Sequence, residues 1–149
     1  MSAHTITVKY SVFVKKPPEA VWDFTQDYTL RPRWDSAVLE AVEITDAPTR
    51  TVRLRMRGNT TMTFVYKQFE RPRKTSLLAK EVVSPTIASA GGAWFYEAKE
   101  GGTVWTQTNT VTLKDKLLLS WLKPLFRWGL RHQTRSAMNQ AKRMMEKGG

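Results

Sequence analysis

Val14-Lys15-Lys16-Pro17-Pro18-Glu19-Ala20-Val21-Trp22-Asp23-Phe24 changes its periodicity halfway along, and that change decides the fold. Upstream of it, Ile6, Val8, Tyr10, Val12 and Val14 alternate with Thr7, Lys9 and Ser11. A period of two is that of a half-buried strand. Pro17-Pro18-Glu19 then opens a helix, because proline is tolerated in a first turn and an acid there complements the helix dipole. Ala20, Val21 and Phe24 fall on one face of this short helix, with Trp22 near its edge. Leu30-Arg31-Pro32-Arg33-Trp34-Asp35 reads as a second short helix or turn, kept brief by Pro32.

Beyond this corner the chain reads as a meander of hairpins. Val38, Val42 and Ile44 alternate with Leu39, Ala41 and Glu43. Val52, Leu54 and Met56 alternate with Arg53, Arg55 and Arg57, which predicts a strand wet on one face and covered on the other. Gly58-Asn59 is a hairpin turn signal. Strands are predicted over 62–69, 74–83, 93–98 and 103–113, with Gly101-Gly102 in a tight turn and Gly91-Gly92 marking a bulge that curves the sheet. The parity of the last strand has two readings: Trp105, Gln107 and Asn109 face in, or Val104, Thr106, Thr108 and Thr110 do. Either choice places polar groups inside.

The last element reads as a long helix with Leu118, Leu122, Leu125, Gly129, His132, Ala137, Ala141 and Met144 as its apolar stripe. Pro124 either kinks it or separates a leading turn from the main helix. Residues 114–149 carry nine Lys and Arg against two acids, within a chain of net charge +11. A basic helix of this kind attracts phosphates, anionic lipids or an acidic partner, and reversible contact with an anionic membrane surface is the partner expected for it. Arg53, Arg55 and Arg57, with Lys9 and Lys67, make a basic strand face, but no nucleic-acid motif accompanies them and a solvated face accounts for the alternation, so nucleic acid is not an expected partner.

The order strand, two short helices, six strands, long helix is a helix-grip arrangement. Its opening resembles the START-like (SRPBCC) superfamily, in particular the polyketide cyclase/dehydrase and lipid-transport family. The resemblance rests on the quoted stretch together with Asp27, Leu30 and Trp34-Asp35. It implies an α+β fold: a seven-stranded curved antiparallel sheet around a long C-terminal helix, with an internal cavity for a hydrophobic ligand. It implies no universal catalytic motif, and it makes Trp34-Asp35 part of the corner near the cavity mouth. A curled sheet has more inner surface than one helix can cover, so the surplus becomes cavity. The expected lining is Tyr10, Trp34, Met56, Tyr66, Trp94, Tyr96, Leu125, Trp128 and His132.

At 149 residues the chain reads as one domain, 1–149, large enough to bury about 70% of its unfolded surface. It has no cysteine, which excludes disulfides, thiolate metal sites and cysteine nucleophiles. No metal site or cofactor is expected, since the two histidines are far apart and no carboxylate cluster has ligand spacing. Met1-Ser2-Ala3-His4-Thr5 has no apolar signal core, and 117–130 is broken by Lys123, Pro124 and Arg127. A cytoplasmic location is expected. The sequence carries no signal for oligomeric state.

Two functions are therefore weighed. One is binding or transfer of a lipid, polyketide or similar apolar metabolite. The alternative is a cyclase or dehydratase, for which His132, Tyr66 and Tyr96 would be the proton-moving residues.

Overall fold

The computed structural model describes residues 4–45, 47–115 and 121–148. The expectations placed on the first three residues and on Leu118 lie outside them. The first strand, β1, runs Thr5–Val14, and two helices follow, α1 at Pro18–Thr25 and α2 at Arg31–Trp34. Six strands come next: β2 Val38–Ile44, β3 Thr51–Met56, β4 Thr60–Glu70, β5 Lys74–Val83, β6 Ile87–Lys99 and β7 Gly102–Leu113. The last helix, α3, spans Lys123–Lys147. The strands form one antiparallel sheet in the order β1-β7-β6-β5-β4-β3-β2, so β1 and β2 are its two edges. The helix-grip arrangement and its seven strands are as the sequence predicts.

Turn chemistry sets the registers. Gly58 and Asn59 both sit at positive φ in the three-residue connection, 57–59, that turns β3 into β4, where a left-handed backbone suits glycine and asparagine. Gly102 begins β7 where β1 ends; a Cβ there would overlap the Val14 carbonyl oxygen.

Two strand readings need correction. A register shift between Val38 and Glu40 flips the parity of β2, so Ala41 pairs with Leu54 and packs on the core while Val42 pairs with Arg53 and faces out. One extra residue in a strand moves every later side chain to the other face. The Gly91-Gly92 pair is not a bulge: it continues β6 in register with Thr110 and Asn109, and the irregularity lies at Ile87/Ser89. The glycines do mark a parting of strands. Pairing of β5 with β6 stops at Leu78 and Gly91, after which β5 continues beside β4 and β6 beside β7. The gap bends the sheet.

The parity of β7 is settled by burial: Thr103, Trp105 and Gln107 are buried, with Leu113 at the same phase. Pro124 lies in the first turn of α3, so it starts the helix and does not kink it. The buried face of α3 is Thr134, Ala137, Met138, Ala141 and Met145. Phe126 and Leu130 extend it over Ile6, Val8 and Leu113. Leu125, Trp128 and His132 turn outward instead. Helix periodicity identifies faces without saying which one meets the sheet, and α3 has two apolar faces.

The core divides into an aromatic cluster beneath the C-terminal half of α3, a mixed cluster of aliphatic and aromatic side chains mainly on β2–β4, and a small one of Ile6, Val8 and Leu113 under the first half of α3. In the first, the rings of Trp34, Trp94 and Trp105 pack within 6.0 Å of one another, at 58° to 78°. Such tilted and edge-on pairs contribute roughly 0.5–1.5 kcal/mol each beyond their buried area. The indole N–H groups of Trp34 and Trp105 are buried without a hydrogen-bond partner. Tryptophan is present there for its bulk.

Candidate functional site

Where these clusters and the first half of α3 meet, packing leaves a cavity of about 120 Å³. Strands β3 and β4 supply Leu54, Met56, Met62 and Phe64, which face inward because they share the phase opposite the arginines. The other side of the wall is polar. Gln107 and Asn109 come from the inward phase of β7, and Gln133 and Thr134 from α3. Asn109 Nδ2 donates to Gln107 Oε1 at 2.9 Å and to Thr134 Oγ1 at 3.2 Å. Apolar wall and amide wall face each other.

The α2 corner closes one end. Arg31 Nε donates to Asp35 Oδ2 at 2.9 Å, both side chains being nearly buried. The guanidinium lies 4.7 Å from the Trp34 ring centre and 5.0 Å from that of Trp94. Burial works against the charge of Arg31, but the Asp35 carboxylate, together with Tyr28 and Tyr66, outweighs it and holds the group's pKa above the ordinary arginine value. The other Asp35 oxygen accepts from Gln133 Nε2 at 2.7 Å and from the Ala37 backbone N–H at 3.2 Å.

Behind Tyr28, which lines the cavity, runs a buried chain of hydroxyls. Tyr66 donates to Gln26 Oε1 at 2.8 Å, so Tyr28, 2.6 Å away, must donate to Tyr66. Arg50 Nη1 also donates to Gln26 Oε1, which fixes that amide's orientation and points its Nε2 at the Tyr96 hydroxyl, 2.9 Å away. Thr25 Oγ1 donates to the Val21 carbonyl, so Tyr96 donates to Thr25. The Arg50 guanidinium covers the rings of Tyr28, Tyr66 and Phe69 at 4.8–5.2 Å. Burial pushes the Tyr66 phenol well above its ordinary pKa, with the neighbouring Tyr28 adding to the shift and Arg50 opposing it. Burial likewise raises Tyr96, against its bonds to Thr25 and Gln26.

Of the residues expected to line the cavity, Met56 and Trp94 do. Trp34 and Tyr96 are core, Tyr66 lies in the hydroxyl chain behind the wall, and Tyr10 packs at the edge of the aromatic cluster beside Asn139. Leu125, Trp128 and His132 do not reach it: they stand on the solvent side of α3, where the His132 ring stacks on Trp128 at 5.3 Å. A proton-moving trio of His132, Tyr66 and Tyr96 is therefore not assembled. Sequence reading gave Arg31 and Gln133 no place in the site, put Asp35 only in the corner near the cavity mouth, and left Asn109 to one of two parities of β7. The i,i+4 spacing of Arg31 and Asp35 across Trp34 was an available signal; the two amides become visible only once the parity of β7 and the rotation of α3 are known.

Leu77, Ala90, Gly91 and Thr110 belong both to the cavity wall and to a groove on the outer face of the sheet, at the parting of β5 and β6. The wall there is one residue thick. Among the described residues no group of three His, Cys, Asp or Glu side chains could hold a metal ion, and no helix is long and apolar enough to cross a membrane.

Comparison with solved structures shows the same fold at low identity. The aromatase/cyclase ZhuI from Streptomyces sp. R1128 superimposes with a TM-score of 0.82 at 15% identity, over 97% of this chain and 95% of that one. A START superfamily protein from Mycobacterium smegmatis gives 0.70 at 12% identity, over 93% and 98%. The di-domain aromatase/cyclase BexL of the BE-7585A biosynthetic pathway gives 0.77 at 18% identity; this chain spans 97% of its own length but only 51% of BexL. No curated protein sequence matches the chain. The family model for polyketide cyclase/dehydrase and lipid transport matches residues 5–146, nearly the whole length, and the chain belongs to that family.

Proposed function

We propose that this protein binds and carries a small, mostly apolar molecule in the cavity between the sheet and α3. The observation that carries the reading is the two-sided wall, with Leu54, Met62 and Phe64 opposite the Asn109–Thr134 and Asp35–Gln133 amide contacts. An apolar enclosure with a few placed polar groups binds by burial and orients by hydrogen bonding. A volume of about 120 Å³ is close to the ~150 Å³ engineered cavity that takes benzene, and well below the roughly 300–1,000 Å³ of pockets for larger ligands. The occupant is then one ring or a short branched chain, or the end of a longer molecule.

A cyclase or dehydratase reading has one observation in its favour: the Arg31 cation in the wall, which would stabilise negative charge on a carbonyl oxygen. It lacks a base, because the titratable groups of the wall are Tyr28, Arg31 and Asp35, and the last two are paired. Binding without chemistry is the better fit.

Native mass spectrometry of the purified protein, with solvent extraction of what co-purifies, tests the proposal. It should show a stoichiometric small adduct, or, for the empty protein, saturable amide shifts at Asn109 and Gln133 with monocyclic aromatics. An empty extract with no shift from monocyclic aromatics or short fatty acids would end it.

A further inference from the structure

The molecule has six tryptophans, and they divide sharply. Trp22, Trp34, Trp94 and Trp105 are buried, whereas Trp121 is 81% and Trp128 63% exposed. The exposed pair stand near the start of α3, on either side of Leu125, which is 61% exposed. Spacings of four and three residues carry Leu125, Trp128 and His132 along one side of the helix, with Trp121 four residues before Leu125 in the turn leading in. Stacking on His132 holds the Trp128 ring in place. Beside this stripe runs a row of exposed arginines at four-residue spacing, Arg127, Arg131 and Arg135. No acidic residue pairs with them among the described residues.

We infer that this outer face of α3 docks on anionic lipid bilayers. Tryptophan prefers the boundary between headgroups and acyl chains, where its ring is in hydrocarbon and its N–H in a wet layer. An in-plane helix with aromatics on one side and arginines flanking them is the form such binding takes. The excess of positive charge in this segment selects a negative surface and disfavours a second copy, which would set two arginine rows against each other. Cavity residues Leu130, Gln133 and Thr134 lie on the opposite side of the same helix, so docking brings the cavity wall to within one helix diameter of the bilayer. Delivery of an apolar cargo there rests on the binding function proposed above; docking does not.

Sedimentation with sucrose-loaded vesicles tests it. The full chain should bind vesicles of 70% phosphatidylcholine and 30% phosphatidylserine, at roughly 0.1 M salt, at least about tenfold more tightly than pure phosphatidylcholine, and release at high salt. Tryptophan emission should shift to the blue, and brominated lipid should quench it. R127Q/R131Q/R135Q should weaken binding by about a hundredfold, from roughly one surface charge interaction per arginine. W121S/W128S should abolish both binding and the spectral shift while leaving the melting temperature and any cavity adduct unchanged, since both side chains are exposed. Equal binding to both vesicle types, binding to neither, self-association through this face, or a tryptophan variant that binds as the parent does would each overturn the inference. Cavity occupancy is read independently by native mass spectrometry, so failure of docking and failure of the binding function are distinguishable.

Discussion

Gln133 Nε2 donates to Asp35 Oδ1 at 2.7 Å, tying the long helix to the short corner that precedes the strand meander. The same carboxylate holds Arg31 and caps the Ala37 backbone N–H. Removing it leaves a nearly buried guanidinium without a counter-charge. Asp35→Ala should lower the unfolding free energy by about 3 kcal/mol in urea titration, and Gln133→Ala by only about 1 kcal/mol. Equal costs would show that the charge pair contributes little.

Ala90 presents a methyl group to the cavity from β6. Ala90→Phe places a ring in that space. Stability should change by less than about 2 kcal/mol, the ordinary range of overpacking, while binding of monocyclic aromatics is lost. Calorimetric titration beside thermal melting separates the two effects. Undiminished binding in a folded variant would put the ligand elsewhere.

Tyr66 and Tyr96 are buried acids whose folded pKa values lie above those of the unfolded chain. The sign follows: the unfolded state releases their protons first, so stability is intact below the ordinary phenol range and declines as pH rises through it. Ultraviolet titration of the four tyrosines should show Tyr66 and Tyr96 ionising only as the protein unfolds. Phe replacing Tyr66 should remove part of that alkaline loss. Four tyrosines titrating together in folded protein would contradict the hydroxyl chain.

Glu146 Oε2 accepts from the Lys15 backbone N–H at 2.9 Å and from Lys142 at 3.0 Å, pinning the end of α3 to the turn after β1. The backbone hydrogen bond, aided by the lysine, depresses its pKa. This stability is present at neutral pH and is lost as pH falls from the ordinary glutamate range through the folded value. Glu146→Gln should therefore flatten the acid side of a pH–stability curve. An unchanged acid limb would mean that the contact forms no lasting bond in solution.

Sequence reading succeeded where one residue type repeats without interruption. The alternation of β1 and β3 specified both their strands and their inward faces, and Pro17-Pro18-Glu19 marked the α1 start. It failed where a single geometric event resets the phase. The bulge after Val38 is silent in sequence, since Leu39 and Ala41 suit either face. The rotation of α3 is silent for a different reason: Leu125 and Trp128 are as apolar as Phe126 and Leu130, and only contact with β1 and β7 chooses between them. The cavity's polar wall depends on both the phase of β7 and this rotation, so the site was less legible than the fold.

The parting of β5 from β6 beyond Leu78 and Gly91 also bears on how fast anything inside exchanges with the outside. Two strands that share no ladder can separate further without breaking a bond, so the sheet can flex along this seam. With Ala90 and Gly91 as the thin partition, the proposed occupant would have a way out sideways through the sheet while the long helix stays seated. For the occupant proposed above, residence time would follow the breathing of this crack and not the lifting of a lid.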